Sequence, residues 1–219
     1  MKKSVLLTRS NIANMELREQ LSDKNLEFLE CSLIDYKLNN VTAEYINIFS
    51  GLVITSNFAA RNVPKPLKDA MPVWVVGEKS ADMLRKKGYH IQFCAPSAEL
   101  LRGHIPSHLP KGVLYLSGNH ISVEMPEFVT RKVIYEVTYL NALSREQVLR
   151  YKQGIDYILL YSENCAKTLL RLLVENNLLN YLENTTIIAI SSKVGSVFGN
   201  NFKNVVVAHS SELVVKYIK

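Results

Sequence analysis

The sequence predicts an α/β protein built of two flavodoxin-like, parallel-sheet α/β/α domains, one inserted in the other and joined by a two-stranded β linker. Apolar strands alternate with helices, and many are unbroken Val/Ile/Leu runs, as expected of parallel strands buried on both faces. The chain also contains itself twice. Residues 51–60 (GLVITSNFAA) and 157–166 (YILLYSENCA) each read as an apolar strand, a Ser and a helix start. Residues 73–84 and 187–198 repeat that order, and 91–105 aligns with 204–218 so that Ser97 meets Ser210, Glu99 meets Glu212 and Ile105 meets Ile218. The next strand of the first copy, 113–119 (VLYLSGN), finds its best partner at the start of the chain, 5–11 (VLLTRSN). A repeat whose last piece lies at the N-terminus implies one domain made from both chain ends, with the other set into its middle. The implied boundaries are 1–32 plus 142–219 for the outer domain and 38–136 for the inserted one, with linkers 33–37 and 137–141. A cleft between two such domains is where a ligand is expected.

Strand 4–8 opens the outer domain. A helix follows at about 11–22, capped by Ser10 or Asn11 and striped by Ile12, Met15, Leu17 and Leu21. Strand 26–30 comes next, and 31–38 leaves the domain. Thr42 caps a short helix ending near Ser50, and strand 52–55 precedes a helix from about 57. Strand 73–76 leads to a helix at 78–87 that Gly88 stops. Strand 91–94 is followed by a short helix that Ser97 opens before Pro106, then by strand 113–116 and a helix near 121–129. Strand 133–139 carries the chain back, and the crossings 30–37 and 134–141 are spaced to pair. The return half reads as a helix at 144–153 capped by Ser144, strand 157–161, helix 163–176, strand 186–190, helix 192–199, strand 204–208 and helix 211–218.

With 219 residues the chain is long enough for two cores of about 100 residues each. Its 47% hydrophobic and 21% charged residues are ordinary for a globular protein, and the net charge of +6 is too diffuse for a nucleic-acid arm but suits an anionic small molecule. The apolar stretch after the N-terminal lysines, Val5 to Leu7, is too short for a signal peptide, and no segment reaches a bilayer-spanning length. Cys31, Cys94 and Cys165 are odd in number and far apart, which reads as reduced thiols in a reducing cytoplasm, with neither metal nor catalytic role.

Open α/β sheets bind ligands beyond the carboxyl ends of their strands. The residues there are Thr8 and Arg9, Ser56 and Asn57, Gly77, Ser117 and Gly118, Ser162 with Glu163 and Asn164, and Ser191, Ser192 and Lys193. Most are small and polar and precede a helix, so each serves equally as a helix cap or as an approach to helix N–H groups that favour carboxylate or phosphate. No phosphate loop, nucleophile elbow or paired Cys motif occurs. Gly77-Glu78-Lys79-Ser80 lacks the first glycine of a P-loop, and Pro106 separates His104 from His108, which argues against a metal pair. Tyr135 and Tyr139 fall on the returning strand.

Taken in order, these pieces resemble the uroporphyrinogen-III synthase family. The opening VLLTRSN (Thr8-Arg9-Ser10 for the frequent TRP), the turn Val76-Gly77-Glu78-Lys79-Ser80-Ala81, Tyr139 in YEVTYLNA and the closing IIAISSKVGSVF…NVVVAHSSELVVKYI carry the resemblance, which spans nearly the whole chain. The chain departs from the family at Tyr161-Ser162-Glu163-Asn164, where Phe-Thr/Ser-Ser-Pro is usual. It departs again at Ser117-Gly118, where Arg-Gly is common, and at Ser192-Lys193, where a small residue and Thr stand.

The resemblance implies the cyclising dehydration of hydroxymethylbilane, a linear tetrapyrrole octacarboxylate, with inversion of ring D to give uroporphyrinogen III. It implies no metal or organic cofactor. Tyr139 is the expected general acid, and Thr8, Arg9, Ser56, Asn57, Gly77, Ser117, Gly118, Ser162, Asn164, Ser191, Ser192 and Lys193 are the expected substrate contacts. A cytoplasmic monomer is implied, touching neither nucleic acid nor membrane and meeting the preceding pathway enzyme only transiently. The competing expectation is a non-catalytic two-domain binding protein or sensor for an anionic small molecule.

Overall fold

Residues 2–67 and 71–218 are described by the computed structural model. In chain order the elements are β1 (Lys3–Leu7), α1 (Asn11–Gln20), β2 (Leu26–Glu30), β3 (Ile34–Leu38), α2 (Ala43–Ile46), β4 (Gly51–Ile54), α3 (Asn57–Asn62), β5 (Pro72–Val76), α4 (Glu78–Lys86), β6 (His90–Ala95), α5 (Ala98–Arg102), β7 (Val113–Gly118) and β8 (Val129–Tyr139). There follow α6 (Arg145–Tyr151), β9 (Tyr157–Leu160), α7 (Glu163–Glu175), β10 (Thr186–Ala189), α8 (Ser192–Gly195), β11 (Asn204–Val207) and α9 (Ser211–Val214). Contacts divide the chain into a first unit, Met1–Asp35 with Thr138–Lys219, and a second, Tyr36–Val137.

The first unit's sheet has the order β11-β10-β9-β1-β2, all parallel, and the other sheet has β3-β8-β7-β4-β5-β6. Replacing β9, β10, β11, β1 and β2 by β4, β5, β6, β7 and β8 turns the first order into the second, with β3 added at the edge. The circular shift seen in the repeat is therefore a circular shift of topology. Counted along the chain, the first unit reads 2-1-3-4-5, the flavodoxin-like order.

Period-two burial explains why unbroken apolar runs suit these strands. In the first unit Leu6, Ile158, Leu160 and Ile187 pack under Leu169, Leu172 and Leu173 of α7. Their neighbours Val5, Leu7, Leu159 and Ile188 face Leu17 and Leu21 from α1 and its continuation, together with Val214. In the second unit Leu52, Ile54, Val73, Val75, Leu114 and Leu116 line one face, and Val53, Trp74, Val113 and Tyr115 the other. Helix starts follow the serines: Ser56, Ser97, Ser144, Ser162, Ser191 and Ser210 each accept a backbone N–H three residues on.

Three expectations are corrected. The helix near 121–129 does not form; bends and a turn fill 119–128, and β8 begins at Val129. Pro126 has no N–H to give and forces Met125 toward an extended conformation. Ile121 and Met125, whose spacing mimics a helical stripe, pack from this irregular loop onto the Trp74 face of the sheet. The helices expected at 192–199 and 211–218 are single α turns that tighten into 3-10 turns at Ser196–Asn201 and Val215–Tyr217. In α1, Met15 points to solvent, and Ser10 holds the N-cap position without a side-chain bond; the side chains at 11, 12, 211 and 212 lie outside those described.

Candidate active site

Strand order reverses between β1 and β9 in the first sheet and between β4 and β7 in the second, the position where doubly wound sheets open a crevice at their carboxyl ends. Thr8-Arg9 and Tyr161-Ser162-Glu163-Asn164 end the strands at the first of these points. Thr55-Ser56-Asn57 and Ser117-Gly118-Asn119 end those at the second.

At the first point Thr8 is buried and its hydroxyl donates to the Leu159 carbonyl at 2.5 Å, so it ties β1 to β9 and is committed to the sheet. Arg9 is held through its backbone by the fully buried Asn14. The Asn14 Oδ1 accepts the Arg9 N–H at 3.1 Å, and its Nδ2 donates to the Arg9 carbonyl at 3.0 Å. The Arg9 guanidinium lies 4.7 Å from the Tyr161 ring centroid, a cation–π arrangement that uses its face and leaves its edge for other partners. The Tyr161 Oη is buried without a hydrogen-bond partner among the described residues; burial pushes this phenol up to about 12, against the pull of Arg9.

Ser162 caps α7, accepting from the Cys165 N–H at 3.2 Å. Two residues on, the exposed Asn164 donates its Nδ2 to the Tyr139 Oη at 3.0 Å, so two residues far apart in sequence share one hydrogen bond. Tyr139 ends β8, with its ring packed against the α7 side of the core. Ser191 caps α8, and Ser192 is exposed at its start. Lys193 reaches to Glu163 Oε2 at 2.8 Å, while Lys167 takes Oε1 at 2.6 Å. Hydrogen bonds from Lys167 first and Lys193 second hold the Glu163 carboxyl down at about 2. Its pairing therefore favours the folded state at neutral pH and is lost as pH falls from the ordinary carboxylate range through about 2.

At the second point Ser56 caps α3 and also accepts a hydrogen bond from the Tyr135 hydroxyl at 3.0 Å. Asn57 Oδ1 accepts from Ser80 Oγ at 2.6 Å, joining α3 to α4. Gly77 takes φ +81° ahead of α4, and the space where a Cβ would stand is open. Ser117 is buried; its Oγ accepts from Arg131 Nε at 2.8 Å and donates to the Gly118 carbonyl at 2.9 Å. Arg131 Nη2 donates to the carbonyls of Gly118 at 2.8 Å and Asn119 at 3.0 Å. The guanidinium at this turn thus arrives from β8.

Sequence reasoning passed over Arg131, Asn14 and the Tyr135–Ser56 bond. Only the parallel β7/β8 register, with Tyr115 opposite Arg131, brings Arg131 to the turn, and no local pattern marks it.

A family model described as Uroporphyrinogen-III synthase HemD matches residues 29–213. The chain belongs to the uroporphyrinogen-III synthase family. A Rickettsia prowazekii (strain Madrid E) protein, Uncharacterized protein RP474, is 34% identical over 252 residues, covering 93% of this chain and 92% of that one. Among solved structures, uroporphyrinogen-III synthetase from Helicobacter pylori 26695 superposes with a TM-score of 0.63 at 17% identity, covering 99% of this chain and 97% of that one. A mutant uroporphyrinogen III synthase from the extremely thermophilic bacterium Thermus thermophilus gives 0.53 at 13%, covering 99% and 95%. Both share the fold. Family membership makes the chain an enzyme, a cyclising lyase of porphyrin biosynthesis, and does not favour the reading as a non-catalytic sensor. Among the described residues no helix is long and apolar enough to cross a membrane.

Proposed function

We propose that the chain carries out the family's reaction on hydroxymethylbilane by holding carboxylates at the strand-end rims of its sheets and protonating the departing hydroxyl from Tyr139. The observation that carries this reading is the Asn164–Tyr139 hydrogen bond beside the first switch point. Because the Tyr139 oxygen accepts from Asn164, its own O–H is free to donate outward, and the oxygen keeps a donor after its proton has left. As the substrate C–O bond breaks, the hydroxyl takes that proton and departs as water, leaving an azafulvene cation. The substituted carbon of ring D attacks the cationic carbon to form a spiro centre. Its old bond to the methylene shared with ring C then breaks, and that methylene rejoins ring D at the free α-carbon. The proton lost from that carbon restores the phenol, so the net loss is water.

Uncatalysed bilane already closes, to the non-inverted isomer, so the demand on the protein is positioning. Arg9, held by Asn14 at its backbone and by Tyr161 at its face, presents a pre-oriented fork to a carboxylate. Ser56, Asn57, Gly77, Ser117, Gly118, Ser162, Ser191 and Ser192 are proposed to shape the rims, several of them as caps whose hydroxyls already serve a backbone N–H. Thr8 contributes by fixing the strand beneath. The reading extends to a cytoplasmic monomer that meets the enzyme supplying its substrate only transiently.

Purified protein incubated with enzymatically generated hydroxymethylbilane, followed by isomer analysis of the oxidised porphyrin, should yield isomer III; isomer I alone would overturn the reading. Arg9→Ala and Lys193→Ala should each raise KM. The KM of the parent should also rise with salt, since exposed charges are screened over about 8–10 Å at physiological ionic strength. If neither substitution moves KM, these residues are not carboxylate contacts.

A further inference from the structure

We propose that Glu163 is a place-holder for a substrate carboxylate: it occupies Lys167 and Lys193 in the free enzyme and yields them to an incoming carboxylate, and so sets the affinity for the polyanion. The inference rests on the proposal that Lys193 binds substrate. The geometry carries it. One carboxylate oxygen takes Lys167 at 2.6 Å and the other takes Lys193 at 2.8 Å, so both oxygens hold an ammonium. The lysine side chains are 62% and 78% exposed and the glutamate 28%, so the two cations stand further into solvent than the anion that joins them.

An octacarboxylate brings the same functional group to the same two ammonium ions. Exchanging one carboxylate for another replaces like charge-assisted hydrogen bonds with like. The net cost of giving up the internal pair is small because exposed ion pairs contribute little to stability. The internal carboxylate stays ionised at neutral pH, as its depressed pKa requires, so it competes at every working pH.

The arrangement has a functional logic. Lysines that grip substrate and product equally provide uniform binding, which lowers KM without raising kcat. The product keeps the substrate's carboxylates, and two unmasked lysines at the rim would retain it.

A purely structural tie between α7 and α8 makes the opposite prediction. Losing such a tie would loosen the rim and weaken binding, whereas losing a competitor strengthens it. The probe is uroporphyrin III, a stable octacarboxylate, titrated by its fluorescence against the full chain at low and high salt. Glu163→Gln should tighten Kd by about two- to fivefold at low salt, the factor an exposed ion pair commands, and the gain should shrink at high salt. Glu163→Asp, whose shorter carboxylate cannot span both lysines, should fall between the two. In a Lys167→Ala/Lys193→Ala background, Glu163→Gln should change nothing. With hydroxymethylbilane, KM should fall by the same factor while kcat does not rise.

Unchanged or weaker uroporphyrin binding by a Glu163→Gln protein with the parental thermal midpoint would overturn the proposal. So would a gain that persists without the two lysines, or a parent that does not bind the probe. A parent that binds uroporphyrin but forms no isomer III would sink the catalytic reading alone, with Kd still deciding the place-holder role.

Discussion

Tyr139→Phe is expected to lower the rate of isomer III formation by at least about tenfold while leaving the thermal midpoint in place. The substitution keeps the ring, and with it the packing against the α7 side of the core, and removes one oxygen. A positioned general acid contributes about 10²–10⁴-fold, so even partial replacement by water leaves a large deficit. The stability cost should stay within about 0.5 kcal/mol, because Asn164, the residue deprived of its acceptor, is exposed and bonds to solvent instead. Asn164→Ala should show part of the same loss in kcat, since it frees the hydroxyl to rotate without deleting it. Rates from purified parent and variants with saturating bilane, recorded beside thermal midpoints, make the test. Parental turnover in a well-folded Tyr139→Phe protein would remove this hydroxyl from the chemistry and leave an enzyme that works by positioning alone.

What could be read from the sequence was whatever depends on local pattern. Strands such as 157–160 are unbroken apolar runs because both faces of a parallel sheet are covered, and their repeat spacing carried over directly into strand order. The serine caps were equally legible, since a Ser before an apolar-periodic segment has one local use. The same property limited the reading of the site: Ser162 and Ser191 look alike whether or not a ligand ever reaches them. Long-range partnerships left no mark. Thr8 reads as a rim hydroxyl until β9 is laid beside it and the Leu159 carbonyl accepts its hydrogen bond. Lys193 reads as a free cation until α7 brings Glu163 to it. The loop at 119–128 misled for a different reason. Ile121 and Met125 are spaced like a helical stripe because they too must cover the sheet, and Pro126 within the stretch was the stronger signal.

Gly118→Ala should destabilise the second unit by about 1–3 kcal/mol, the usual cost of overpacking a filled interior. Gly118 closes β7 at the second switch point, and a Cβ placed there would lie 2.6 and 2.7 Å from two ring carbons of Tyr135 and 2.9 Å from its hydroxyl. The ring has little room to retreat. It is buried, its hydroxyl is tied to Ser56 at 3.0 Å, and Phe58 stands against it with centroids 4.7 Å apart, itself stacked on Tyr36 at 4.4 Å. The Gly118 carbonyl is held in turn by Arg131, so the backbone resists moving away. For a unit of this size each kcal/mol lowers the midpoint by about 4–8 °C, an effect that scanning calorimetry resolves. Gly77→Ala is the control: φ +81° and ψ 135° there form a positive-φ extended conformation that glycine alone adopts readily, but nothing among the described residues lies within 4 Å of the new methyl group. Only the backbone penalty of about 1–3 kcal/mol therefore applies, and no second-site change should relieve it. At Gly118 the cause is steric and has a named partner. Tyr135→Phe removes only the hydroxyl contact and should rescue little, whereas Tyr135→Leu removes the ring and should make Gly118→Ala nearly neutral in its own background. A double-mutant cycle therefore measures a coupling of opposite sign to the single-mutant cost. Additive costs for Gly118→Ala and Tyr135→Leu would mean that the glycine is required by its backbone and not by the tyrosine it faces.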